Sequence, residues 1–327
     1  MPVLSYIQAV TQALREEMQR DEKVFVLGED VGKRGGVFRA TDGLYDEFGE
    51  DRVLDTPLAE SAIAGVGIGA AMYGMRPVAE MQFADFIMPA VNQIVSEAAK
   101  IRYRSNNDWQ APITIRAPYG GGVHGALYHS QSVEALFANQ PGLKIVMPST
   151  PYDVKGLLKA SIRDNDPVLF FEHKRAYRLI KGEVPDEDYT LPIGKADVKR
   201  EGSDITVITY GLCVNFALQA AEKLAEEGID AHILDLRTVY PLDKESIIEA
   251  ASKTGKVLLV TEDNKEGGII SEVSAIISEN CLFDLDAPVQ RLAGPDVPSM
   301  PYAPTMEKYF MMNPDKVEKA MRELAEF

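Results

Sequence analysis

The sequence predicts an α/β chain of two domains, each built on a mostly parallel sheet with helices on both faces, and three observations carry that expectation. Short apolar runs of strand length alternate with stretches of helical periodicity. A charged, proline-containing stretch interrupts the alternation past the middle, after which it resumes. A length of 327 residues with 46% hydrophobic composition suits two cores of ordinary size better than one.

Ile7, Val10, Leu14 and Met18 recur at helical spacing, and 23–27 then has the continuous apolar run of a buried strand. A strand near 77–82, a helix near 88–104, and strands near 113–117 and 144–147 follow. A helix near 153–162 and a strand over 168–171 complete the first half. Between Tyr177 and Gly202 the pattern lapses, with Pro185 and Pro192 inside it, so the domains are expected at 1–185 and 203–327 with 186–202 as linker. The second half repeats the alternation: strand 205–209, helix 214–226, strand 231–236, helix 244–251 and strand 257–261. A last helix is expected over 314–325, opened by Pro314 where a missing N–H is harmless.

A formal net charge of -16 repels phosphate backbones and no basic patch offsets it, so nucleic acid is excluded and any macromolecular partner is expected to be basic. Cys213 and Cys281 lie far apart and outside any metal-binding spacing, which points to a reducing compartment. The first ten residues lack the features of a secretion signal, and the greasiest segment, 62–75, is too short to span a bilayer, so no membrane association is expected.

Candidate chemistry begins with Asp55-Thr56-Pro57-Leu58-Ala59-Glu60-Ser61, which reads as a helix start with Thr56 as cap and Pro57 in the first turn. Glu60 then sits at the edge of a buried helix. Its carboxylate either rests on the positive end of the helix dipole or is a desolvated carboxyl able to share a proton with a ligand nitrogen. In the same helix Gly65-Val66-Gly67-Ile68-Gly69-Ala70 matches a dinucleotide-binding pattern, but that fingerprint needs a strand immediately before it and 58–64 reads as helical. These glycines are expected to allow close helix packing.

The stretch Gly120-Gly121-Gly122-Val123-His124-Gly125-Ala126-Leu127-Tyr128-His129-Ser130-Gln131-Ser132 follows a strand and holds two of four histidines. It is expected beyond the carboxyl ends of the strands, where open parallel sheets bind ligands. His173 and His232 fall at or within strands and are expected to be structural. No nucleophile elbow, metalloprotease helix or P-loop is present, so the chemistry is expected from a bound cofactor.

Gly28-Glu29-Asp30-Val31-Gly32, Asp55-Thr56-Pro57-Leu58-Ala59-Glu60, Glu80-Met81-Gln82-Phe83-Ala84-Asp85-Phe86 and Tyr128-His129-Ser130-Gln131-Ser132 together resemble the beta subunits of thiamin-diphosphate-dependent 2-oxo acid dehydrogenases. Gln140-Pro141-Gly142, Pro148-Ser149-Thr150-Pro151, Asp235-Leu236-Arg237-Thr238 and Pro241-Leu242-Asp243 extend the resemblance almost end to end. It implies a transketolase-like fold, with a pyrimidine-binding domain up to about residue 181 and a smaller C-terminal domain after it.

The resemblance further implies that Glu60 hydrogen-bonds the ring nitrogen of the cofactor's aminopyrimidine, that Leu58, Gln82 and Phe86 surround the ring, and that Glu29 joins the cofactor contacts. A proton exchanged at that nitrogen favours the imino form, and the cofactor then activates itself. His129 matches a histidine near the substrate and the lipoyl group, with His124 a weaker candidate. Phe86 departs from the tyrosine that branched-chain relatives often carry there. Ile113, Ser161, Asp164 and Asp166 match a position where some relatives bind potassium.

The Gly-Asp-Gly motif that helps hold magnesium in this family is absent, so the resemblance implies that an alpha subunit supplies it, in tetramers of two alpha and two beta chains. It also implies docking on a dihydrolipoyl acyltransferase core through its subunit-binding and lipoyl domains, with Glu318, Glu323 and Glu326 as candidate contacts. The stretch 125–132 resembles the branched-chain type, with pyruvate second. A bacterial cytoplasm is the expected location, or a mature form in the mitochondrial matrix. The competing classes are a self-sufficient transketolase-like enzyme, a nicotinamide dehydrogenase and a non-catalytic assembly subunit.

Overall fold

Every residue of the strand Val24–Gly28 is buried, as its unbroken apolar run requires when helices cover both faces of a sheet. The computed structural model describes residues 1–327, which divide into two compact units: Met1–Tyr119 with Leu136–Ile193, and Gly120–Ala135 with Gly194–Phe327.

Six parallel strands of the first unit run in the order Lys144–Val146, Val168–His173, Thr114–Tyr119, Arg76–Glu80, Val24–Gly28, Val53–Asp55. The helix Tyr6–Arg20 packs on the helix Pro151–Arg163. Ser5 caps the first through a reciprocal pair with Gln8, and Thr150 caps the second, with Pro151 at its first position. The small antiparallel pair Val3–Ser5 and Lys181–Glu183 ties the unit's two chain segments together.

The second unit holds a sheet in the order Gln290–Gly294, Val257–Asn264, Ile205–Thr209, Ala231–Asp235, Asp197–Arg200, parallel except for the last strand. Helices Leu212–Ala225, Lys244–Thr254, Ile269–Asn280 and Pro314–Ala325 accompany it. No helix of the chain is long and apolar enough to cross a membrane.

Four expectations differ from the structure. The single helix over 88–104 is three short pieces: a 3-10 segment Ala84–Ala90, a π segment Gln93–Ala98 and an α-turn Ile101–Arg104. Pro89, without an N–H, sits inside the first piece and prevents a regular α ladder. Thr56 does not cap the next helix, because its N–H donates to Gly28 O at 2.9 Å and holds it extended beside Val24–Gly28. The helix begins instead at Glu60, with Ala59 as its cap. Within the stretch expected as linker, Asp197–Arg200 is an edge strand of the second sheet. The histidine-bearing segment Gly120–Ala135 belongs with the second unit, whose residues supply its anchors.

Candidate active site

Parallel register brings the first group of residues to one edge. Gly28 pairs with Glu80 on one side and Asp55 on the other, so Glu29, the Leu58–Glu60 segment and Gln82 all leave the sheet at neighbouring carboxyl ends. Gly28 permits the closeness: a Cβ there would lie 2.8 Å from Glu80 O.

Glu60 is half-buried at the first position of the helix Glu60–Met72, where backbone N–H groups point outward and favour negative charge. Glu29 is half-buried as well; burial pushes its carboxyl above the usual range, and the negative charges of Asp30 and Glu60 push the same way. The two carboxyls therefore lie within electrostatic reach of each other. Gln82 Nε2 lies 3.5 Å from Asp30 Oδ2, which also accepts from Arg34 at 2.7 Å. Phe86 sits edge-on to Phe83 at 5.4 Å between ring centres, and Phe83 edge-on to Phe38 at 5.3 Å, forming an aromatic wall. Leu58 is 69% exposed, and Thr56 Oγ1 is buried without a partner.

Beneath this edge lies a charge cluster that reasoning from the sequence missed. Arg116, fully buried, donates to Glu172 at 2.6 and 2.7 Å and to Glu80 at 2.6 Å, and Tyr177 Oη donates to Glu172 at 2.6 Å. Burial holds Glu80 and Tyr177 above their usual ranges, whereas the two carboxylates raise Arg116 against the opposing effect of burial. Its signal in the sequence was three charged residues inside otherwise apolar strands.

The second unit carries the histidine loop. His129 follows a short 3-10 turn, Ala126–Tyr128, and is partly exposed. Gly121 N–H donates to Glu262 at 2.6 Å, and His124 meets Glu307 through both its backbone and its ring. Behind the loop, Tyr210 Oη donates to Glu134 at 2.9 Å. Burial pushes the Glu134 carboxyl up to about 8, with Asp263 and Glu262 adding repulsion. A cavity of about 100 Å³ borders Ser130, Ser132, Glu262 and Asp263.

Ile113, Ser161, Asp164 and Asp166 come together in the first unit, amid cationic side chains. Lys144 reaches both Asp164 oxygens at 2.8 and 2.6 Å, and Arg102 pairs with Asp166 at 3.0 Å. The carbonyl of Asp164 accepts from Arg76 at 2.9 Å, that of Ile113 from Val168 N–H at 2.9 Å, and that of Ser161 from Asp164 N–H at 3.2 Å. The charge that a bound cation would neutralise is thus already met. His173 and His232 are buried, the former accepting from Arg175 N–H at 3.2 Å.

The glycine pattern does not open a dinucleotide site, since helix and not strand leads into it from Glu60. Gly67 does allow close packing, on Ile113, while Gly65 and Gly69 face open space.

Residues 3–180 match the family model described as transketolase, pyrimidine binding domain, and residues 194–317 that of the transketolase C-terminal domain. The chain is 84% identical to the 2-oxoisovalerate dehydrogenase subunit beta of Bacillus subtilis (strain 168), across the whole of both chains. It belongs to the beta subunits of the thiamin-dependent 2-oxo acid dehydrogenases. Within that group it is 50% identical to the pyruvate dehydrogenase E1 component subunit beta of Bacillus subtilis and 46% to that of Staphylococcus aureus (strain Mu50 / ATCC 700699), again over full lengths. A solved structure titled split gene transketolase, inactive beta4 tetramer, shares the fold of this beta-subunit chain at a TM-score of 0.80, with 24% identity over 99% of this chain and 98% of that one.

Proposed function

We propose that this chain is the beta half of an enzyme that oxidatively decarboxylates branched-chain 2-oxo acids with thiamin diphosphate and passes the acyl group to the lipoyl group of a dihydrolipoyl acyltransferase. The observation that carries the substrate is 84% identity to a 2-oxoisovalerate dehydrogenase beta subunit against 50% to a pyruvate dehydrogenase beta subunit, both over 327 residues. Pyruvate is the second reading, on that full-length 50%.

The first-unit edge fits an aminopyrimidine ring. Leu58 is exposed there and Phe86 half-buried, and the Glu29 and Glu60 carboxyls are close enough for one to raise the other. When bound, thiamin diphosphate supplies the electron sink into which a 2-oxo acid loses carbon dioxide. Glu60 exchanges a proton at its carboxyl oxygen with the ring nitrogen, helped by the helix terminus it opens. Leu58 and Phe86 orient the ring and exclude water, while Glu29 and Gln82 hold its polar side. As the acyl carbon bonds to one lipoyl sulfur and the S–S bond breaks, His129 delivers its proton to the other sulfur, which stays on the opened lipoyl chain as a thiol.

An alpha subunit completes the site with the diphosphate-binding motif and magnesium that this sequence lacks, in a tetramer of two alpha and two beta chains. The acyltransferase core docks through its subunit-binding and lipoyl domains. Of the acidic candidates for that contact, Glu318 is already shared between Lys223 and Arg322, each at 3.0 Å. Potassium would have to use the remaining lone pairs of the Ile113, Ser161 and Asp164 carbonyls. The bacterial relatives favour a bacterial cytoplasm.

The reading is tested by assembling the chain with a cognate alpha subunit and titrating thiamin diphosphate with magnesium. Glu60→Gln is expected to assemble normally and lose turnover. Unchanged turnover would instead support a beta chain that serves assembly alone.

A further inference from the structure

His129 lies on a loop whose backbone would not keep its shape unaided. His124 and Ala126 have φ of 54° and 52°, the left-handed region that residues with a Cβ rarely adopt. Such conformations persist only where their surroundings hold them. Gly125 lies between them with no room for a side chain, because a Cβ there would come 2.6 Å from His129 Cβ and 2.8 Å from His129 O. The backbone at 124–126 is therefore in direct register with His129, and a shift of one displaces the other.

The holding comes from the far end of the sequence. Glu307, in the helix Pro304–Phe310 and only 4% exposed, accepts from His124 N–H at 3.2 Å through Oε1. Its Oε2 lies 2.5 Å from His124 Nδ1. One carboxylate thus grips both the backbone and the ring of the residue in the left-handed conformation. The neighbouring turn packs against the same region: a Cβ at Gly121 would meet the side-chain ends of Met300 and Met311, and the Gly121 N–H donates to Glu262 at 2.6 Å. A buried carboxylate is costly without partners, and His124 supplies two contacts to this one.

We propose that Glu307 is the positioning residue for His129. It acts through His124, fixing the backbone that presents the His129 ring for acyl transfer. The inference rests on the reading of His129 as the proton donor in that step, and its own signature separates the two. Loss of Glu307 slows acylation of the lipoyl domain and spares decarboxylation, because a group misplaced by about an ångström loses on the order of 10² in rate.

The experiment uses the full complex with alpha subunit and a free lipoyl domain, and compares Glu307→Leu, Glu307→Gln and His129→Ala. For each, lipoyl acylation is measured against dye-linked decarboxylation, and amide hydrogen exchange is followed across 120–132. Glu307→Leu is expected to lower the ratio of acylation to decarboxylation roughly 10- to 100-fold and to speed exchange in 120–132 alone. Glu307→Gln, which keeps an acceptor for His124 N–H, recovers part of both. Should the leucine variant fail to assemble, His124→Ala removes the ring's contact with Glu307 Oε2 from an exposed residue, leaves the backbone contact in place, and is expected to lower the ratio part of the way. A wild-type ratio in the leucine or His124 variant overturns the proposal, as does faster exchange throughout the chain. If His129→Ala leaves acylation intact, the role of His129 fails, and the exchange in 120–132 still decides whether Glu307 holds the loop.

Discussion

Arg116 and Glu172 face each other across neighbouring strands in a two-pronged contact, Nε to Oε1 at 2.6 Å and Nη2 to Oε2 at 2.7 Å, with both side chains fully buried. Glu80 on the opposite strand closes the cluster. Removing the cation would leave two buried carboxylates facing each other, which costs about 3–5 kcal/mol in comparable settings. Arg116→Met is therefore expected to lower stability by about that amount, measured by urea unfolding at neutral pH. Glu80→Gln, which keeps the Arg116–Glu172 pair, is expected to cost markedly less.

The buried Glu134 makes the second unit sensitive to pH. Its carboxyl has an ordinary value of 4.5 and is pushed up to about 8 in the fold, so the folded chain binds a proton there that the unfolded chain has released. Stability from this group is full below 4.5 and is lost as pH rises through about 8. Glu134→Gln, neutral throughout, is expected to gain on the parent as pH is raised from 5 to about 8.5. Melting temperatures of the two chains across that range check it, and parallel curves would contradict it.

Two glycines respond in opposite directions. Gly142 has φ of 102°, and a Cβ there would overlap the Ala99 carbonyl oxygen. Gly142→Ala is expected to cost at least about 2 kcal/mol. Gly69 is exposed on the helix Glu60–Met72 with nothing near its missing Cβ, so Gly69→Ala is expected to stabilise this chain by up to about 1 kcal/mol. Thermal unfolding of the purified chain reads both.

Much of the sheet was legible before the structure because its strands are continuous apolar runs, as in Val24–Gly28 and Val168–His173, and runs of that kind have few alternatives to a buried parallel strand. Three-residue strands such as Val3–Ser5 are too short to show a period, and their pairing partner lies some 180 residues away. The helix Ile269–Asn280 did carry its signal, with Ile269, Ile270, Val273, Ile276 and Ile277 on one face, and went unread. For the site, Glu60 stands out at a helix start and His129 in a glycine-rich loop after a strand, while the family motifs supply the roles expected of them. Nothing local in the sequence joins His124 to Glu307, which only the second unit's fold brings together.

Phe86 tests the aromatic wall. Its ring contacts Phe83 edge-on, so Phe86→Ala removes apolar surface on which the cofactor ring would lie. Weaker thiamin diphosphate binding by about 1–2 kcal/mol is expected, with maximal turnover largely kept once the cofactor saturates. Calorimetric titration of the assembled complex gives the affinity. Phe86→Tyr is expected to bind as tightly as the parent.

With an alpha subunit, this chain is expected to act on branched-chain 2-oxo acids. The most direct test is thiamin- and magnesium-dependent dye reduction by the reconstituted pair, comparing 3-methyl-2-oxobutanoate with pyruvate and omitting each subunit in turn. A higher kcat/KM for 3-methyl-2-oxobutanoate, seen only when both subunits are present, is the predicted result. A preference for pyruvate, or equal activity when this chain is left out, would contradict it.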